Sequence, residues 1–379
     1  MARQSAVLKA LAALFALMLV AAACGSDDAT DSTAEGDDAG EVDPDDAAAD
    51  ETEADETEAD EPEDAEEPAE AEGDVANIAF FASSSQNGYN QAVWEGVQRA
   101  AAEDGNVEAE IFDGEFSGEV QFNQIEDIVA SGRFDGYVIV PNDPVGVVPV
   151  AEQALAAGPT ATALFPIGPD LDTLDPQLDG MITSAGSVSV AAVAAAEEVV
   201  TFCETVDPCR VIIIIGQLQF PFDNLRLESF EGVLDQHDNI EVLAVGEGQY
   251  SQDVSLTTMQ DLLQANPEFE VLLSNADQHV TGALIALEDA GIDVEPMWVS
   301  GGGASEVAIE GIKAGTWDAT ISAFPATEGY LAAKNVIAEL RGGDVTQVND
   351  VNVLNDLGVA LVTADVLEAN PSWVAEWAG

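Results

Sequence analysis

From Val75 onward, short apolar runs alternate with longer stretches in which apolar residues recur every three or four positions. The short runs predict strands at 78–82, 107–112, 137–140, 161–165, 181–184, 211–215, 241–245, 271–274, 297–300, 319–323 and 359–363. The segments between them, "YNQAVWEGVQRAAAED", "VQFNQIEDIVASG" and "YLAAKNVIAELRGG" among them, predict helices, several closed by Gly as a helix C-terminus prefers. Regular strand–helix alternation predicts an α/β fold, with parallel sheets covered by helices on both faces. The pattern breaks near residue 185, in the turn-rich "ITSAGSVSV", and so divides into two series. Residues 75 to 379 exceed one typical core, which also predicts two lobes.

Open parallel sheets bind ligands beyond the carboxyl ends of their strands, and two such sheets facing one another share a cleft. The positions to watch therefore follow each predicted strand. Asn87, Tyr89 and Asn90 follow the first, "PNDP" the third and Phe165 the fourth. In the second series come Phe220, Phe222 and Asn224, then Gln249, Tyr250 and Asp253, then Asn275, Asp277, Gln278 and His279, then Gly303 within "GGGAS". Ser, Asn and Asp at any one of these places are ordinary turn and N-cap residues. Tyr89, Phe220 and Tyr250 could equally be packing residues. The recurrence of amides, hydroxyls and rings at successive strand ends is what points to a ligand. Rings stack on the apolar faces of a small polyhydroxylated solute, and directional donors and acceptors read its hydroxyls.

Charge narrows the partners. The chain has 73 Asp and Glu against nine Lys and Arg, a formal net charge of −64. Residues 27–74 are acidic, contain no base and hold almost nothing apolar beyond alanine, so a disordered tether spanning 24–74 is expected. So acidic a protein repels nucleic acid and anionic lipid, and no nucleic-acid partner is expected. At the N-terminus, Arg3 and Lys9 precede the apolar run 10–23, which has the build of a signal peptide over 1–23. "VAAACGS" is similar to a bacterial lipobox with Cys24 as the lipidated residue, although Ala21 stands where leucine is usual; an ordinary cleavage site is the alternative. Export to the outer face of the membrane with a lipid anchor is the expectation. In an oxidising compartment Cys203 and Cys209 are expected to form a disulfide. Zinc is the competitor, but the only histidines are His237 and His279, far off in sequence.

The segments "NGYNQAVWEGVQRAAAE", "QIEDIVASGRFDGYVIVPND", "FDNLRLESFEGVL", "TTMQDLLQANPEFEVLLSNADQHVTGALIALEDAG" and "GIKAGTWDATISAFP" give the chain, from Val75 to about Thr363, a resemblance to a known family. It resembles the sugar-binding branch of the type I periplasmic-binding proteins, the receptors of ATP-driven importers. The resemblance implies two Rossmann-like lobes, 75–184 plus 325–352 and 185–324 plus 353–379. They would be joined by crossings near 184–186, 322–325 and 350–357 and close on the ligand as a hinge. It implies a monomer that delivers its ligand to an ABC permease in the membrane. Asn87, Tyr89 and Asn90 fall where the family places an amide and sugar-stacking aromatics. Tyr250 matches another cleft aromatic, and Asn275 a ligand-binding asparagine. The departures are equally specific. Leu164-Phe165 stands where ribose-type members have Asp-Arg, Asn224 where an arginine is expected, about Gly303 where an aspartate is, and about Ala323 where a glutamine is. Arg226 reads as structural. These departures disfavour ribose and suit a larger or more apolar sugar, a polyol or a furanone-like signal.

An enzyme is the rival class. The chain has no Gly-x-Ser-x-Gly elbow and no Lys followed by Ser or Thr, so it has neither a nucleophile elbow nor a P-loop. "SGGGAS" lacks the spacing of a dinucleotide fingerprint, and "DLDTLDPQLDG" lacks the terminal glutamate of a calcium loop. No cofactor, metal or catalytic residue is expected. Two alternatives remain: a binding protein that presents its ligand to a membrane sensor or chemoreceptor, and a binding protein for a non-sugar solute such as a nucleoside or furanone signal.

Overall fold

The computed structural model describes residues 75–354 and 357–379. The expected signal peptide, Cys24 and the expected acidic tether lie outside the described residues. The first lobe opens with β1 (Ala76–Ala82), α1 (Gly88–Asp104), β2 (Val107–Asp113), α2 (Gly118–Ser131), β3 (Gly136–Ile139), α3 (Val148–Ala157), β4 (Thr160–Leu164) and β5 (Ile182–Ala185). The second follows with α4 (Val188–Cys203), β6 (Cys209–Ile215), α5 (Pro221–Leu234), β7 (Ile240–Glu247) and α6 (Gln252–Ala265). It continues through β8 (Val271–Ser274), α7 (Asp277–Asp289), β9 (Trp298–Gly302), α8 (Glu306–Ala314) and β10 (Ala319–Ile321). The chain then returns to the first lobe with α9 (Pro325–Leu340), β11 (Val348–Asp350) and α10 (Val351–Leu354), and ends in the second with β12 (Leu361–Thr363) and α11 (Ala364–Ala369).

The sheets run β11-β5-β4-β3-β1-β2 and β12-β10-β9-β8-β6-β7, the same winding twice. Their strands are apolar at successive positions because both faces are covered. In β1, Ile78, Phe80 and Ala82 enter the core beneath α1 and α9, whereas Ala79 and Phe81 enter the one formed with α2 and α3. In β6, Ile212 and Ile214 point to one core and Val211, Ile213 and Ile215 to the other. A disulfide joins Cys203 to Cys209 and ties the end of α4 to the start of β6. Both cysteines are fully buried.

The structure departs from the sequence reading at the last crossings. β10 stops at Ile321, short of the predicted 319–323 run, although Ser322 N–H and Oγ still donate to the carbonyls of Ala360 and Val359 just before β12. β11, a polar three-residue strand, carries no apolar run to announce it. β12 pairs antiparallel with β10, so the second sheet is not wholly parallel.

Two glycines set the spacing of α1 and α9, the helices that carry cleft residues in the first lobe. A Cβ at Gly96 would come within 2.1 Å of the Ala326 carbonyl oxygen, and one at Gly329 within 2.0 Å of that of Val93. The obstacle in each case is backbone, so only helix separation could relieve it. Gly329→Ala is expected to cost about 1–3 kcal/mol, an overpacking penalty, in urea unfolding. An unchanged midpoint would show that the two helices are not held at this distance.

Candidate binding site

Each lobe sends the same three devices toward the gap. The first lies at the N-terminus of the helix that follows its first strand, α1 or α5. Asn90 Oδ1 accepts the Ser83 N–H at 2.9 Å, and Asp223 Oδ2 accepts the Gln217 N–H at 2.7 Å. Each of these residues follows an aromatic, Tyr89 in one lobe and Phe222 in the other. These bonds close the strand-to-helix turn and satisfy backbone donors just past the strand end.

The second device is a Gly-x-aromatic-Ser turn after the second strand, Gly114-Glu115-Phe116-Ser117 and Gly248-Gln249-Tyr250-Ser251. Both aromatics are left-handed, with φ 49° at Phe116 and 54° at Tyr250. Few non-glycine residues adopt this conformation unless their surroundings impose it. Here the surroundings do. Phe116 N–H donates to the Ser83 carbonyl at 2.8 Å, and Tyr250 N–H donates to His279 Nε2 at 2.9 Å. Ser117 and Ser251 then cap α2 and α6. Because Nε2 accepts, the proton of His279 sits on Nδ1, which lies 3.0 Å from Ser274 Oγ. Burial lowers its pKa to about 3, so the imidazole stays neutral.

The third device is an asparagine after the third strand. Asn142 Nδ2 donates to the carbonyls of Ser83 and Gly114, and Asn275 Nδ2 donates to Asp223 Oδ1 at 2.8 Å. Both Oδ1 atoms are buried without a partner. Unsatisfied buried acceptors are uncommon, and two at equivalent places beside one cavity point to a hydrogen-bonding ligand.

That cavity, of about 120 Å³, lies between the lobes and is bordered by Asn90, Phe116, Asn142, Phe222, Tyr250 and Asn275 together with the crossing segments. Its ceiling is aromatic. Phe116 stacks on Tyr250 with centroids 5.6 Å apart, and Phe165 on Phe222 at 4.2 Å, so rings from opposite lobes close one side. Beneath them Asp223, fully buried, accepts the Tyr250 hydroxyl at 2.6 Å and faces Arg226 at 3.6 Å. Burial raises the Asp223 pKa, while Arg226 and the hydrogen bonds oppose the shift. The Arg226 guanidinium lies 5.2 Å from the Phe165 ring centre. On the far side, the Tyr89 hydroxyl donates to Glu328, 3.0 Å from each carboxylate oxygen, and its ring meets Trp377 edge-on. Burial first, and Glu376 nearby, raise the Glu328 pKa to about 8 against the pull of the Tyr89 bond and Arg226.

Of the residues singled out from sequence, Asn87, Tyr89, Asn90, Phe165, Tyr250, Asn275 and Gly303 border the cavity. Phe220, Asn224 and Asp277 do not. Phe220 precedes α5 and packs behind Phe222, and Asn224 turns back to donate to the Leu218 carbonyl. Asp277 is buried beneath the wall, where it accepts the Ser305 N–H and the Thr320 hydroxyl. Arg226, read as structural, reaches the cavity wall two residues after Asn224 and faces Asp223. Tyr250 stacks on Phe116, and Tyr89 meets Trp377. Phe116 was detectable as the mate of Tyr250 in the repeated Gly-x-aromatic-Ser turn. Glu328, within a helix, and Trp377, in the C-terminal segment, carry no comparable signal.

The Glu328 shift has a stability consequence. A carboxyl raised from 4.5 to about 8 by folding contributes stability that is full below pH 4.5 and is lost as pH rises through 8. The stability of the parent relative to Glu328→Gln should therefore decline between pH 5 and 8, by at most about 1.4 kcal/mol per pH unit. Urea unfolding of both proteins across that range measures it; parallel profiles would mean that Glu328 is ionised throughout.

The periplasmic binding protein domain matches residues 78–344. The chain is 24% identical over 204 residues to a putative rhizopine-binding protein of Rhizobium meliloti, spanning 53% of this chain and 64% of that one. It is 22% identical over 272 residues to the ribose import binding protein RbsB of Bacillus subtilis, 71% of this chain and 83% of that one. In fold it is similar to an ABC transporter solute binding protein from Mycobacterium smegmatis solved with bound glycerol. That match has a TM-score of 0.67 and 22% identity, and covers 81% of this chain and 100% of the other. With two like-wound lobes around a ring-capped cavity of mixed polar and apolar lining and a family match over more than half its length, the chain belongs to the periplasmic binding protein domain family.

Proposed function

We propose that this protein is the extracytoplasmic solute-binding component of an ABC importer and captures a sugar-like, polyhydroxylated small molecule between its lobes without altering it. The observation that carries this reading is the pair of unpartnered acceptors, Asn142 Oδ1 and Asn275 Oδ1, on opposite lobes beside one aromatic-walled cavity. A solute presenting hydroxyl donors on two sides and an apolar ring face meets both acceptors and the Phe116–Tyr250 and Phe165–Phe222 stacks. The names of the relatives support the same class of ligand, since one is called a ribose import binding protein and another was solved with glycerol. Lobe closure is stabilised by contacts made only when both lobes meet the solute.

Anchoring through Cys24, a monomeric state and delivery to a membrane permease belong to the same proposal. The lipobox-like sequence supports the anchor. The seven residues bordering the cavity, with Asn142, Arg226 and Glu328 added, form the proposed contact set.

Calorimetry against aldoses, polyols, nucleosides and amino acids tests the reading. At least one polyhydroxylated compound should bind saturably. Asn275→Leu should weaken it about tenfold, by loss of one hydrogen bond and of the support given to Asp223 and Tyr250. Binding confined to amino acids, or an Asn275→Leu protein that binds as the parent does, would overturn it.

A further inference from the structure

The charges of the cavity do not balance. Three buried carboxyl groups border or underlie it: Asp223, fully buried, Glu328, 2% exposed, and Asp277, 1% exposed, whose oxygens already accept from the Ser305 N–H and the Thr320 hydroxyl. One cation is present, Arg226, and it is committed to the Asp223 side. It lies 3.6 Å from Asp223 Oδ1, donates to the Tyr250 hydroxyl at 3.3 Å and rests over Phe165. Glu328 forms no ion pair among the described residues. Both of its oxygens share a single side-chain donor, the Tyr89 hydroxyl, although a carboxylate can accept about four hydrogen bonds.

The charged and titratable groups that act on Glu328 come from three elements: Tyr89 on α1, Arg226 on α5 and Glu376 in the C-terminal segment. Glu376 is an acid, held by the Thr327 N–H and hydroxyl, and it makes the surroundings of Glu328 more negative. A buried carboxylate without a cation is strongly disfavoured, and the chain supplies none on this side. The unpartnered Asn142 and Asn275 oxygens beside the same cavity are an independent mark that a donor-rich solute completes the site.

We propose that the solute carries a protonated amine, and that Glu328 reads it: the ligand is an amino-deoxy sugar or amino-polyol, not its all-hydroxyl counterpart. This inference rests on the reading of the cavity as a site for a sugar-like solute and refines it. An ammonium group brings three donors and the missing charge, while the rest of the molecule meets the asparagines and the rings. The chemistry balances as a proton exchange. The carboxylic acid of Glu328, held protonated by burial up to about pH 8, gives its proton to the solvent as the ammonium docks. The bound state is then an ammonium–carboxylate pair.

Calorimetry at pH 7 on matched pairs decides it: D-glucosamine with D-glucose, D-galactosamine with D-galactose, and serinol with glycerol. At least one amino member should bind ten times or more tighter than its hydroxyl partner. Its enthalpy should vary with the ionisation enthalpy of the buffer, to the extent of nearly one proton released. In Glu328→Gln the preference should shrink to about threefold or less and the buffer dependence should vanish. Tyr89→Phe keeps the carboxyl and removes its one side-chain donor, so it should keep or widen the preference and provides the test if Glu328→Gln does not fold. Hydroxyl members that bind as tightly as their amino partners, or a preference that survives Glu328→Gln or is lost in Tyr89→Phe, would overturn the amine and leave the sugar-like reading in place. Failure of every compound in both arms to bind would count against both.

Discussion

Covering both faces of a parallel sheet leaves little room for charged side chains on its central strands, and this constraint organises the molecule. β1 and β6 place consecutive residues in alternate cores, with exposures at or near zero along most of their length. Polar groups are driven to the strand ends, where the backbone turns and unpaired N–H groups need acceptors. Since both lobes wind in the same order, each delivers the same set of strand ends to the gap. The cavity is thus the place where two copies of one turn chemistry meet.

The two copies have not kept the same charge. At one position the first lobe has Asn90 and the second Asp223, each accepting the N–H that closes its turn. An amide is sufficient for the turn, so the carboxylate has a further consequence. It gathers the Tyr250 hydroxyl, the Asn275 amide and Arg226 around itself, groups from three separate segments. Removing one member would leave buried donors or a buried charge uncompensated, which costs more than the lost bond itself. The network therefore fixes the positions of Tyr250 and Asn275 more firmly than packing alone. It also holds Arg226 away from the Glu328 side, so the cavity has a neutralised end and an acidic one.

The architecture was largely legible in the sequence, because apolar runs and helical periods are properties of local segments. Eleven predicted runs fall on strands of the two sheets, whereas β11, with Asn349 and Asp350 in its three residues, gave no run to detect. Within the site, residues directly after a strand could be anticipated, as Tyr89, Tyr250 and Asn275 were. Which of them face the gap depends on how each turn is spent. Asn224 uses its amide on its own loop, and Asp277 uses its carboxylate beneath the wall. Arg226 lies a helical turn beyond the loop, yet its long side chain returns to the cavity across Phe165. Glu328 and Trp377 come from segments far away in sequence, and only tertiary packing brings them to Tyr89.

Trp377 bears on how the lobes are held together. The segment around it is fixed to the second lobe, where the Glu306 and Val307 N–H groups donate to the carbonyls of Trp377 and Ala378. The Trp377 indole N–H donates to the Gly303 carbonyl, and Gly303, with φ 128°, leaves space that a Cβ would deny by approaching the indole to 2.6 Å. The neighbouring Glu376 reaches the other way, to Thr327 at the start of α9, a helix packed on the first lobe. One short stretch thus spans from the second lobe to the root of a crossing while its indole lies against Tyr89. A hinge motion that parted the lobes would have to break the Glu376–Thr327 bonds or carry the segment with one lobe, moving Trp377 relative to Tyr89. The wall beside Glu328 is thus built from both lobes, with Tyr89 and Glu328 from the first and Trp377 from a segment bonded to the second.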